Sequence, residues 1–304
     1  HKDGVGAAPN EVLIVNGAKH GLELVCRVLL DEGDSVVVTA PTYFTGIPIF
    51  RSFGVELVEI SQDVEGLNVS ELEEVLGRFA KAGRKLPKLI YDIPDFHNPT
   101  GITMTRRRRE ALVALAKEHQ LVVVEDSPYR RIRFEGTAEP SLSSLDHHGC
   151  VYGLGTFSKL LAPGLRIGWV LAPADIIARM AQLKSDGGSC PLTQRIIVEY
   201  CGAGLLDAHI SRLRATYREH RNRMLAGLPR ELPKVNVTVP HGGYYLWLEL
   251  PGDVDSNELS ARALAEGVSV LPGTRFFASA ATGPERTRNA ARNHIRLAYS
   301  YASP

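Results

Sequence analysis

The strongest constraint on what this chain can fold into is an alternation. Short apolar, β-branched runs recur through its first two thirds, most of them followed by a stretch with helical spacing. Val12–Val15 reads as a strand, and Leu22, Val25, Leu29 and Leu30 then mark one face of a helix. Val36–Val38 and Val55–Ile60 are further strands, and Glu71–Ala82 is helical with Ser70 as its N-cap. Leu89–Ile93 is strand, Arg107–His119 an amphipathic helix capped by Thr105, and Leu121–Val124, Val151–Leu154 and Arg166–Leu171 are strands again. Runs this apolar have no water-facing side, so they belong in a sheet covered on both faces. Alternation with helices makes that sheet mostly parallel, an α/β architecture.

The pattern changes after Leu205. A long charged helix, about His209–Leu225, leads to a strand at Gly243–Leu250, a helix at Ser256–Glu266 and short strands at Val268–Leu271 and His294–Ala298. This predicts a large domain over 1–204 and a small α+β domain over 205–304, in line with the ~100–200 residues of a usual domain. Lys and Arg number 35 against 34 Asp and Glu, so no global field recruits nucleic acid or an anionic membrane. No apolar run approaches the ~18 residues that cross a bilayer, and His1–Pro9 has no signal-peptide core. Cys26, Cys150, Cys190 and Cys201 form no C-x-x-C pair, which favours reduced thiols and a cytoplasmic setting. The histidines have no metal-ligand spacing. The basic run Arg106–Arg109 is followed by Glu110 and reads as a solvated helix face.

In open α/β sheets, ligands collect beyond the carboxyl ends of the strands. Five strand ends carry polar or aromatic residues. Asn16-Gly17-Ala18-Lys19 is a small-residue turn into a helix, where free N–H groups could meet a phosphate. Pro41-Thr42-Tyr43 places an aromatic at the sheet edge. Asn98-Pro99-Thr100-Gly101 is a turn with a rigid start and a glycine exit. Glu125-Asp126-Ser127-Pro128-Tyr129 puts a carboxylate directly after a buried strand, which is costly unless a cation meets it. Thr156 to Arg166 gathers hydroxyls, Lys159 and an arginine in one loop.

Together and in this order, S-K-x-x-A-P-G-L-R, N-P-T-G and D-x-x-Y resemble the fold-type I aminotransferases that use pyridoxal phosphate (PLP). Within them the chain is similar to the 2-aminoadipate and kynurenine branch, whose domain is shared with MocR-type regulators. The resemblance runs from about Pro9 to Ser300. It implies a PLP-transferase-like large domain, amino-group transfer between an L-amino acid and a 2-oxo acid, and a homodimer. Lys159 would carry PLP as a Schiff base and shuttle the Cα proton. Asp126 would pair with the pyridine nitrogen, and Asn98 and Tyr129 with the ring's 3-oxygen, while Tyr43 stacks on the ring. Gly17, Ala18, Lys19, Thr156, Ser158 and Arg166 would hold the phosphate. Arg296, in Asn293-His294-Ile295-Arg296-Leu297, would clamp the substrate carboxylate beside Asn98; Arg288 and Arg292 read as helix-surface residues.

Lys19 and His97 depart from the residues common in the family at those positions. Family members also carry a further N-terminal portion that supplies an arm over the substrate, so this chain is expected to be a fragment or an incomplete enzyme. Two other readings share the scaffold: a PLP-sensing effector domain of a MocR-type regulator, and another PLP reaction such as β-elimination or decarboxylation.

Overall fold

The computed structural model describes residues 5–301. Its strands are β1 (Val12–Val15), β2 (Ser35–Ala40), β3 (Glu56–Asp63), β4 (Gly66–Leu67), β5 (Leu89–Asp92), β6 (Val122–Asp126), β7 (Val151–Thr156), β8 (Gly168–Leu171), β9 (Asn236–Val237), β10 (Tyr245–Glu249), β11 (Leu271–Pro272) and β12 (His294–Ala298). Its helices are α1 (Ala18–Leu29), α2 (Gly46–Ser52), α3 (Val69–Lys81), α4 (Arg106–Glu118), α5 (Leu142–Leu145), α6 (Ala174–Leu183), α7 (Pro191–Gly202), α8 (Leu205–Glu231), α9 (Ser256–Ala265) and α10 (Glu285–Arg292).

The large sheet has the order β1-β8-β7-β6-β5-β2-β3-β4. Its centre, β3, β2, β5, β6 and β7, is parallel, and β8 runs antiparallel to both β7 and β1. The period of two along each strand divides the core. Val36, Val38, Leu89, Tyr91 and Val124 face one side, against Leu22 and Val25 of α1, Phe50 of α2 and Met180 of α6. Val37, Ile90 and Val123 face the other, against Leu72 and Leu76 of α3 and Leu112 and Ala116 of α4. A sheet dry on both faces is what the continuous apolar runs demanded.

A second, antiparallel sheet has the order β11-β12-β10-β9. Leu246, Leu248 and Ile295 face Met224, Leu225 and Leu228 of α8, while Trp247 packs with Phe276 and Ala291 on the other face. Helix α8 joins the two bodies of structure: Leu206 and Ile210 near its start pack into the large core.

Several expectations need correction. Helix α3 begins one residue before Ser70, and its cap is Asn68, whose side chain accepts the Glu71 N–H at 3.1 Å. Strand β6 continues through Glu125 and Asp126, and β7 through Thr156, so these polar residues are strand ends rather than loop. Arg109 is not on a solvated face. It is fully buried, its guanidinium donating to the Met104, Pro94 and Pro140 carbonyls and pairing with Asp95 at 3.1 Å. The long helix runs six residues further at its carboxyl end than expected, and of the Val268–Leu271 segment only Leu271 pairs as strand, together with Pro272 beyond it.

Candidate active site

Strands β2, β5, β6 and β7 are parallel, and β1, antiparallel to β8, points the same way. All five therefore end at one edge, and the chain leaving each end reaches a single cavity of about 240 Å³. Its wall is formed by Gly17, Ala18 and Lys19 after β1, Tyr43 after β2, and Asn98 after β5. Asp126 and Tyr129 come from β6 and the turn beyond it, and Thr156, Ser158, Lys159 and Arg166 from β7 and its loop; Ile93, Pro128 and Pro163 complete it.

One end of the cavity is built for an anion. Gly17 has φ +92° and precedes a helix with no side-chain cap, leaving the first N–H groups of α1 directed outward. A Cβ at Gly17 would stand 2.9 Å from Arg166 Nη2, so only glycine lets that guanidinium lie against the turn. Arg166 is itself left-handed at φ +51° and donates Nη2 to the Asn16 carbonyl at 2.8 Å. The Thr156 hydroxyl donates to Ser158 Oγ at 3.0 Å and accepts the Ser158 N–H at 3.1 Å, folding the loop back on the strand end.

The other end is built for a cation. Asp126 is buried; Tyr91 donates its hydroxyl to Oδ2 at 2.7 Å, and Oδ1 has no partner among the described residues. Burial pushes this carboxyl up to about 6, and the Tyr91 hydrogen bond offsets only part of that. Tyr91 was missed in the sequence because it stands inside an apolar run. The available signal was that a phenol in a fully buried strand needs a polar partner.

Lys159 follows β7 with its Nζ 5.4 Å from the centre of the Tyr244 ring, and the Tyr244 hydroxyl donates to the Lys159 carbonyl at 2.6 Å. Asp95 ties together the loops that carry Asn98 and Tyr129, pairing with Arg109, Arg130 (2.8 Å) and Arg133 (3.3 Å). Burial opposes ionisation of Asp95, but Arg109 and Arg130 hold its carboxyl below the usual range. His97 is kept neutral by burial, which pushes it down to about 3, and its ring contacts the Thr39 and Thr100 hydroxyls. Arg296, from β12, stands beyond the cavity wall and donates Nη1 to Asn98 Oδ1 at 2.7 Å. Arg288 and Arg292 lie exposed on α10, away from this group.

A ligand for this cavity must offer an anion at one end, a protonatable nitrogen at the other and a carbon that a lysine can attack. PLP has all three, and the orphaned Asp126 oxygen and the glycine-lined cup fit it. Fold and site together define a PLP-dependent enzyme of the α/β type. The comparisons narrow the class: the chain belongs to the aminotransferase class I and II family, whose model matches residues 2–295. It is 37% identical over 294 residues to an aromatic-amino-acid aminotransferase of Thermococcus litoralis, covering 96% of this chain and 68% of that protein. The α-aminoadipate aminotransferase of Thermus thermophilus, solved with N-(5′-phosphopyridoxyl)-L-leucine, superposes with a TM-score of 0.88 at 36% identity, over 97% of this chain and 73% of that one. An HTH-type transcriptional regulator of Bacillus subtilis is 31% identical over 99% of this chain, which spans 59% of its length. The chain is thus a PLP-dependent aminotransferase in family and fold. Among the described residues, no helix is long and apolar enough to cross a membrane.

Proposed function

We propose that the chain moves the α-amino group of an L-amino acid to a 2-oxo acid, with Lys159 as both the point of cofactor attachment and the base at Cα. The observation that carries this reading is the convergence of five strand ends on one cavity that pairs an anion cup with an orphaned buried carboxylate oxygen. Bound PLP supplies an electron sink for the charge that develops at Cα. The protein's part is to hold and orient. Asp126 Oδ1 would face the ring nitrogen and keep its proton in place. Asn98 and Tyr129 would hold the ring's 3-oxygen and Tyr43 its face, and the α1 N–H groups with Thr156, Ser158 and Arg166 would hold the phosphate. Lys159 Nζ would take the proton from the substrate Cα and hold it for return across the C–N linkage. Arg296, already fixed by Asn98, would present its free N–H edge to the substrate carboxylate.

The substrate range we infer is that for which the relatives are named, aromatic amino acids and 2-aminoadipate. The division at Gly204, a homodimer and a cytoplasmic setting belong to the same proposal. The two sheets with separate cores support the division, and the free cysteines support the setting. The regulator likeness favours a second reading in which the site reports on ligand without turnover. One assay separates the two. Protein loaded with PLP is incubated with an L-amino acid panel and 2-oxoglutarate, and L-glutamate is measured. Turnover is expected with the wild type and absent in Lys159→Ala, which still binds PLP without a covalent bond. Glutamate formed at an undiminished rate by Lys159→Ala would remove Lys159 from the chemistry.

A further inference from the structure

Tyr245 opens β10 with its ring against the Arg296 guanidinium, whose Cζ lies 3.9 Å from the ring centroid. The register of the small sheet produces this contact. Trp247 is paired with Arg296 and Tyr245 with Ala298, so Tyr245 is the diagonal neighbour of Arg296 on the same face. Phe276 and Phe44 add rings at 5.0 and 5.4 Å. No carboxylate among the described residues pairs with Arg296, although burial pulls its pKa down. At its other end, the Tyr245 hydroxyl approaches the Tyr129 hydroxyl to 3.5 Å, and the two rings meet edge to face at 5.9 Å. Tyr129 lines the cofactor cavity and Arg296 does not, so one side chain touches both.

We propose that Tyr245 is a positioning residue with two separable parts: its ring face holds the Arg296 guanidinium for the substrate carboxylate, and its hydroxyl holds the Tyr129 hydroxyl toward the cofactor. This rests on the reading of the site given above. The ring is suited to the first task because a π face stabilises a desolvated guanidinium without consuming any N–H donor. A carboxylate in its place would compete with the substrate. The second task needs the hydroxyl, which a phenylalanine would lack. A hydroxyl contact that is long without ligand commonly tightens in the substrate complex. The titratable and charged groups facing Tyr129 are Tyr43 after β2, Tyr91 on β5, Tyr244 and Tyr245 at β10, and Arg296 on β12, and burial with Tyr245 holds the Tyr129 phenol well above its ordinary range.

The test compares wild-type, Tyr245→Phe and Tyr245→Leu holoenzymes by three readouts. These are the pH midpoint of the cofactor's visible band, KM and kcat for the best L-amino acid, and the calorimetric Kd for 3-phenylpropionate, a carboxylate with no amino group. Tyr245→Phe is expected to leave Kd and KM within about twofold while moving the midpoint by about half a unit or more and lowering kcat. Tyr245→Leu is expected to weaken 3-phenylpropionate and raise KM about tenfold. Tyr245→Met, which fills volume without a π face, replaces the leucine variant should that one not fold. A midpoint and kcat unmoved by Tyr245→Phe overturn the hydroxyl's part; a Kd unmoved by Leu or Met overturns the ring's part. A wild-type protein with no cofactor band would instead refute the reading of the whole site, and Tyr245's part with it.

Discussion

Asp92 and Asp126 end neighbouring parallel strands, both buried, yet their surroundings give them different fates. Asp126 has Tyr91 on one oxygen, no partner on the other among the described residues, and a place in the cavity wall, so a cationic ligand can repay its burial. Among the described residues neither Asp92 oxygen makes a well-formed hydrogen bond, and the neutral His97 ring lies 3.8 Å away. Burial pushes Asp92 up to about 7, with the Ile93 backbone N–H and then Arg109 only partly opposing. A folded-state pKa above the unfolded value means the native state binds the extra proton. The associated stability is therefore complete below about pH 4 and lost as pH rises through 7. Three units correspond to roughly 4 kcal/mol, against which an asparagine would leave its own buried donors unpaired at about 1–3 kcal/mol. Asp92→Asn should thus stabilise the protein by about 1–3 kcal/mol at pH 8 and destabilise it at pH 4, where linkage costs the aspartate only about 0.5 kcal/mol. Thermal unfolding followed by circular dichroism at the two pH values checks the sign; a variant less stable at pH 8 would mean that Asp92 is ionised and paired there.

At the scale of elements, the turn between β1 and α1 shows how a strand end becomes a binding surface. Gly17→Ala would force a Cβ to φ +92° and to 2.9 Å from the Arg166 guanidinium, a strain of about 1–3 kcal/mol placed on the anion cup. PLP affinity, read by fluorescence titration of the apoprotein, should fall about tenfold or more with the sheet intact; unchanged affinity would put the phosphate elsewhere. The parallel strands were legible because burial on both faces writes itself as uninterrupted Val, Ile and Leu. Other elements left no such trace. Helix α7 buries only Ile197 while exposing Leu192, Ile196 and Val198, so no apolar stripe marks it. Helix α10 contributes only Ala291 to the core, and β4 and β9 are two residues long. Cavity residues were readable from motifs because their spacing is local. Tyr91, Arg109 and Tyr245 were not, since their partners Asp126, Asp95 and Arg296 lie 14 or more residues away and are found only by folding.

Over the whole molecule, the site is a joint product of two sheets, and α8 is the strut between them. At 27 residues it spans about 40 Å, burying Leu206 and Ile210 in the large core and backing the small sheet with Met224 and Leu225. Its buried Arg221 donates to Glu135 and to the Pro240 carbonyl at 2.6 Å, fixing the large sheet's loop to the approach to β10. Across that frame the small sheet delivers one arginine to the cavity's edge, where Asn98 takes one of its N–H groups and the Tyr245 ring lies against its guanidinium. If this is the carboxylate clamp, cofactor binding and substrate recognition are divided between the two bodies and can be damaged separately. Arg296→Ala removes a desolvated ion-pair partner at about 2–5 kcal/mol, roughly a 30- to several-thousand-fold loss in kcat/KM. The visible band of the resting holoenzyme should be almost unchanged, because the anion cup and Asp126 lie wholly on the large sheet. Amines without a carboxylate should lose little. Arg288→Ala and Arg292→Ala, on the exposed face of α10, should behave as wild type. A structural Arg296 would instead lower thermal stability and spare the discrimination between amino acids and simple amines, so steady-state kinetics with one amine and one amino acid distinguishes the two.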